Sequence, residues 1–185
     1  MRMSREDAAR NRSRVVKTAS ELFRKEGYDG IGIAALMKAS GMTNGAFYKQ
    51  FESKDALIAE ATAHALAENG RAWDKVLAKA GDDPLGDLMT WYLSDLHRDR
   101  RDLGCTFAAL AAEAPRHGAD VRQAFDGALR QAFAKLSAAG GEGEDADQAR
   151  AIRQLSRLVG ALILARAVGD PDLAEDILAA NRTPE

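Results

Sequence analysis

One stretch limits the possible folds more than any other: "DALIAEATAHALAENGRAWDKVLAKAG", residues 55–81. Ser53 stands just before it as a helix cap, and the helical pattern continues as far as Gly81. The stretch predicts one helix longer than is usual in a globular domain. Such a helix, leaving a small head near the chain's beginning, is a natural connector into a larger body. The head itself reads as short helices. Ser4 and Asp7 resemble a capping box, and Val15, Ala19, Leu22 and Phe23 recur at helical spacing until Gly27. A second helix is expected from Ile33 to Ser40, ended by the left-handed backbone that Gly41 can supply. Thr43 then caps a third, with Met42 and Phe47 placed as a hydrophobic staple.

The body continues in the same manner. Leu85, Leu88, Met89, Tyr92 and Leu96 form one stripe. A helix from Cys105 to Ala114 is ended by Pro115, and Val121, Phe125, Leu129, Phe133 and Leu136 mark the next. After the acidic, glycine-rich "AAGGEGEDAD" come a helix over about 146–168 and a last one over about 171–180. No segment reads as a strand. The expectation is an all-α chain of about nine helices, divided into a head, residues 1–54, and a body, residues 55–185.

Composition narrows the class. Apolar residues make up 46% and charged residues 29% of the 185, as in a globular protein rather than a disordered one. No apolar run is long enough to span a bilayer, and "MRMSREDAARNRS" lacks the apolar segment of a secretory signal, so no membrane partner is expected. A lone cysteine excludes an internal disulfide and suits a reducing cytoplasm. The net charge of −2 is unevenly spread. Residues 1–60 hold 11 Lys and Arg against 8 Asp and Glu, leaving 15 against 20 in the rest. A mildly basic head on an acidic body permits phosphate contact by the head.

The segment "GMTNGAFYKQFESKDAL", residues 41–57, sets two helix starts close together beside a lysine. Helix N-termini present free N–H groups and partial positive charge, which suit phosphate. Three short helices joined by tight turns describe a helix-turn-helix, whose second helix reads the major groove with its first residues. Here that helix begins "TNGAFYKQ". Thr43, Asn44 and Lys49 can hydrogen-bond to base edges or phosphate, Gly45 and Ala46 allow close approach, and Tyr48 offers a hydroxyl at phosphate reach. Phe47 and Phe51 are expected to turn inward.

"GYDGIGIAALMKASGMTNGAFYKQFESKDAL", residues 27–57, resembles the DNA-binding signature of the TetR/AcrR family of bacterial transcriptional regulators. Gly27, Tyr28, Gly41, Gly45, Phe47, Tyr48, Phe51, Ser53 and Lys54 fall on the places of the family pattern. Ile31 and Gly32 replace its usual Thr/Ser pair, Gln50 its common His, and Met37 a common small residue. The resemblance implies that Thr43, Asn44, Gly45 and Ala46 lie in the groove of a double-stranded operator. Tyr48, Lys49 and Lys54 would hold the backbone, with Arg14 and Thr18 contributing from the first helix. It also implies a helical body that binds a small effector and dimerises, and "GCTFAALAAEAPRHG" resembles the start of a body helix in one subgroup.

For the body, an apolar effector pocket is expected among the four helices from the one at 85–96 to the one at 146–168. Its candidate walls are Trp91, Tyr92, Cys105, Phe107, Leu110 and Phe125, although aromatics at helical spacing are more often plain core. Leu155, Leu158, Val159, Leu162 and Ile163, with Ile177 of the last helix, are the candidate homodimer face, Gly160 and Ala161 permitting close approach. Cys105, near a helix start and close to Arg98, Arg100 and Arg101, is either a reactive thiol sensor or a buried small hydrophobe. His64, His97 and His117 have no metal-ligand spacing, and no cofactor motif is present. An enzyme using Cys105 or His97 would lack a nucleophile, base and orienter set. The expectation is a non-enzymatic, ligand-released repressor that recognises a palindrome, with a thiol-gated repressor as the alternative.

Overall fold

The computed structural model describes residues 5–140 and 144–183, and these residues contain helices and turns without a strand. Ser4 of the expected capping box lies outside them. Helix α1 runs Arg5–Glu26 and buries Val15, Val16, Ala19 and Phe23. It stops at Gly27, whose φ of 80° lets its N–H reach back to the Phe23 carbonyl at 2.8 Å. Helix α2, Ile33–Ala39, closes on a second left-handed glycine, Gly41, with φ 69°. There the N–H of Met42 bonds to the Met37 carbonyl and that of Gly41 to the Lys38 carbonyl, the paired bonds of a Schellman motif.

The expected third helix is shorter than the sequence suggests. Asn44–Ala46 forms one 3-10 turn, and a further turn carries the chain to Phe51. Thr43 starts it with extended backbone but makes no side-chain cap, so the predicted Thr43 cap is not realised. Ser53 does cap the connector helix α3, Lys54–Leu77, its hydroxyl accepting the Ala56 N–H at 3.0 Å.

Helix α4 spans Pro84–Tyr92 and ends four residues before the expected Leu96. Ser94 is the cause: its hydroxyl donates to the Trp91 carbonyl at 2.8 Å and accepts the His97 N–H, competing with helix continuation. A separate short helix, α5, Asp95–Asp99, leaves Leu96 exposed. Helix α6 covers only Thr106–Leu110, and Pro115 lies within a 3-10 turn, Ala114–Arg116, instead of simply ending the helix. Helices α7, Ala119–Gly140, α8, Glu144–Ala167, and α9, Pro171–Ala179, complete the body.

Helix α3 packs against α1 on one side and α4, α6 and α7 on the other, making it the shared element of the chain. Its links to α1 and the following turn are polar as well as apolar. Buried Arg24 pairs with Glu68 at 3.0 Å, and the Tyr28 hydroxyl meets that of Thr62 at 2.7 Å. Burial pushes the Tyr28 phenol up to about 12, so it stays protonated in this bond.

Candidate functional site

At the 43–49 turn, burial and exposure alternate sharply. Phe47 and Phe51 are buried, their rings stacked with centroids 5.5 Å apart, whereas Tyr48 between them is 69% exposed. Tyr48 meets the edge of Phe47 at 5.2 Å, which steadies its ring without covering it. Thr43, Asn44, Gly45 and Lys49 are also exposed, and Ala46 is half-buried. The two phenylalanines anchor a turn whose outward residues are polar, aromatic or small. Lys54, partly buried at the head of α3, holds its ammonium 3.9 Å from Asp29. On α1, Arg14 is exposed and donates to Asn11, and Thr18 is half-buried.

Arg12 is a part of this site that the sequence did not reveal. Its guanidinium lies 4.3 Å over the Phe51 ring, donates to the Gln50 carbonyl and pairs with Glu60. It clamps the end of the turn between α1 and α3. An arginine in a helical stripe carries no signal of a contact 38 residues away.

Gly45 makes a separate point. Its φ is not left-handed, and a Cβ at this position would meet nothing within 4 Å. Nothing inside the chain requires glycine there. Gly27 differs, because its φ is positive, which strains any side chain, and a Cβ there would displace the Glu113 carboxylate 2.8 Å away.

In the body, the expected effector walls are mostly closed core. Tyr92, Cys105, Phe107, Leu110 and Phe125 are all buried, and the void that Phe107 lines is only about 20 Å³. Trp91 is the exception, opening onto a recess of about 180 Å³ with Leu96, His97 and Leu103. A larger cleft of about 440 Å³ lies elsewhere, between the end of α1, α6 and α8.

Cys105 is the N-cap of α6, yet it is not an activated thiol. The Tyr92 hydroxyl donates to its sulfur at 2.9 Å and the Ala108 N–H approaches at 3.4 Å, but burial dominates and pushes the thiol above its usual value. Two of the three arginines expected to lower it are occupied: Arg98 pairs with Asp95 and Asp99, and Arg100 with Asp102. Beside it, His97 bonds through Nδ1 to the Tyr92 carbonyl at 2.7 Å and stacks on Trp91. Burial, opposed by that hydrogen bond and reinforced by Arg166, lowers His97 to about 4. No cluster of metal-binding side chains occurs among the described residues.

The expected dimer residues divide between two faces of α8. Leu155, Leu158 and Leu162 are buried within the single chain, because they follow the stripe that packs on α6 and α7. They are core, which corrects their assignment to an intersubunit face. Val159 and Ile177 are half-buried and Ile163 is 44% exposed. Ile152, Leu164 and Leu173 are also exposed apolar positions on α8 and α9.

Residues 15–61 match the family model described as bacterial regulatory proteins, tetR family. No curated protein matches the chain. Among solved structures, the reduced form of Escherichia coli NemR is 23% identical, with a TM-score of 0.76 over 93% of this chain and 95% of that one. A TetR transcriptional regulator from Chloroflexus aurantiacus is 22% identical, with a TM-score of 0.80 and coverage of 96% and 94%. A TetR-family regulator from Agrobacterium tumefaciens is 21% identical, with a TM-score of 0.77 and coverage of 95% and 97%. Residues 15–61 thus match the tetR-family model, and nearly the whole length of the chain shares the fold of these solved regulators.

Proposed function

We propose that this protein is a homodimeric, sequence-specific repressor that binds a palindromic DNA operator through the 43–49 turn and leaves it when a small ligand binds the body. The observation that carries the DNA contact is Gly45: exposed, unneeded as glycine by the fold, and set among exposed Thr43, Asn44, Tyr48 and Lys49. The missing side chain leaves room there for a surface to come close to the backbone. Thr43 and Asn44 face base edges, while Tyr48, Lys49 and Lys54 hold phosphates, with Arg14 and Thr18 at the margin. The head, residues 1–54, reads DNA, and the body, residues 55–185, senses and dimerises.

The dimer face is the outer side of α8 and α9, where Ile152, Val159, Leu173 and Ile177 are exposed or half-buried, while Ile163 borders the cleft between α1, α6 and α8. Gly160, in mid-helix with open space around a Cβ, allows a second copy to approach closely. Two identical reading turns then favour a palindrome. Release by a reversible ligand ranks ahead of thiol gating, because the Cys105 thiol is buried and held in its protonated form.

The test is selection of duplex sites followed by binding of three variants. Gly45→Ala should leave the melting temperature unchanged or slightly higher, since replacing a non-left-handed glycine restricts the unfolded chain, while weakening the selected site at least tenfold. Asn44→Ala should relax preference at one position per half-site, a discrimination of about 1–3 kcal/mol. Lys54→Ala should weaken all sequences alike and flatten the salt slope by about one phosphate. Unchanged DNA affinity in Gly45→Ala would remove the basis of the proposal.

A further inference from the structure

The cleft of about 440 Å³ is of the size that small-molecule sites have, yet its lining is not the apolar one expected for this chain. Its walls come from three places: Gly27 just past α1, Ala108 and Glu113 on and after α6, and Ile163 and Arg166 on α8, with Arg101 at its edge. The charges inside it are mostly matched. Arg24 pairs with Glu68 at 3.0 Å and Lys25 with Glu26 at 3.3 Å, and Glu113 accepts the Tyr28 N–H at 2.8 Å.

Two guanidinium groups are left over. Arg166 is fixed by neutral acceptors, donating to the His97 carbonyl at 2.7 Å and the Arg98 carbonyl at 3.0 Å. Arg101 is exposed, and among the described residues neither it nor Arg166 has a carboxylate within ion-pair distance. The pair is close enough to repel, since Arg101 adds to the burial that lowers the Arg166 pKa. Both also border a neighbouring hollow of about 300 Å³, so an anion can reach them from an open side. Ala108, Ala109 and Ile163 supply a short apolar part of the same lining.

We propose that this cleft is an effector site for a small organic carboxylate, its anionic end bridging Arg101 and Arg166 and its apolar body lying along Ala108, Ala109 and Ile163. Guanidinium groups bind carboxylates with paired, charge-assisted hydrogen bonds, and an anion between two of them removes their mutual repulsion. The proposal rests on the ligand-released reading above and names the class of ligand and its seat. It also gives the ligand a handle on the head, because Gly27 and Glu113 belong to the same walls.

The experiment uses the full-length protein and three carboxylates, benzoate, phenylacetate and salicylate, each beside its neutral amide, with inorganic phosphate as a further control. Binding is read by calorimetry and thermal shift without DNA, so the result does not depend on the operator. At least one carboxylate should bind, its amide and phosphate should not, and Arg101→Gln should weaken it at least tenfold, with Arg101→Lys between. Arg101→Gln is preferred to a change at Arg166 because no described hydrogen bond of the fold uses the Arg101 side chain. Absence of binding by all three at 10 mM-order concentration (roughly the weak limit for a metabolite site) overturns the proposal. So does equal binding by amide or phosphate, or unchanged affinity in Arg101→Gln. If carboxylate binds as expected but leaves the selected duplex in place, the site stands and the release reading falls.

Discussion

At the scale of single residues, His97 shows how burial writes a pH dependence into the body. Its ring is buried beside Tyr92, Trp91 and Arg166, and its folded value of about 4 lies below the ordinary 6.5. Between these values the unfolded chain holds a proton that the folded chain refuses. His97 therefore contributes fully above about pH 6.5, and the contribution is lost as pH falls toward 4, by about 2 kcal/mol at pH 5. The expected outcome is a drop in urea midpoint from pH 7 to pH 5 that is clearly smaller in His97→Gln. Stacking lost with the ring lowers the variant at both pH values, so the slope is the measurement. Equal drops in the two proteins would assign the acid sensitivity to other groups. Cys105 and Tyr92 are shaped by the same burial, each held in its protonated form.

At the scale of elements, α8 explains both what the sequence makes legible and what it hides. Its length follows from apolar spacing, and so do those of α1 and α7, because a long periodic stripe averages out local conflicts. Helix α3 is legible in the same way but stops at Leu77, four residues before the expected Gly81. The facing of α8 does not follow, because it is apolar on two sides. Leu155, Leu158 and Leu162 fill the core, while Ile152 and Val159 recur at a spacing of seven on the outer side. Periodicity identifies a stripe without naming its neighbour. Short elements were hidden for another reason: one Ser94 hydroxyl is enough to end α4, and three residues of 3-10 turn replace the expected reading helix. At the head, the turn and its outward residues were legible from Gly41, Phe47 and Ser53, but the Arg12 clamp depended on a long-range contact. The two faces of α8 predict different mutants. Leu158→Ala, at a fully buried site, should cost about 2–5 kcal/mol of stability. An Ile152→Arg and Leu173→Arg double variant should instead stay folded and sediment as a monomer. A double variant that remains dimeric would move the interface off α8 and α9.

At the scale of the whole molecule, the question is how a cleft in the body can change the hold of a turn on DNA. A ligand shifts that hold only if it binds the off-DNA arrangement more tightly than the on-DNA one. Glu113 is the residue placed to carry the difference. It follows α6 and lines the cleft, and its carboxylate accepts the Tyr28 N–H at 2.8 Å while lying against Gly27. Tyr28 in turn bonds to Thr62 of α3 and meets His117 edge-on at 4.7 Å, so one side chain of the body grips the junction of head and connector. A carboxylate ligand drawing the α6 wall toward Arg101 and Arg166 would pull on this grip and tilt the head relative to its partner's. Glu113→Ala should break that transmission without touching the reading turn. The cost in stability is about 1–3 kcal/mol, that of leaving one buried backbone donor unpaired. Affinity for the selected duplex without ligand should stay within a few-fold of wild type, and carboxylate binding without DNA should persist. The ligand's effect on DNA affinity, which for coupled sites is about 5–150-fold, should fall toward none. Measuring duplex affinity with and without the carboxylate in both proteins closes the cycle. If Glu113→Ala is released as strongly as wild type, coupling runs through α3 or the dimer face, and Glu113 is only a brace for the turn at Gly27.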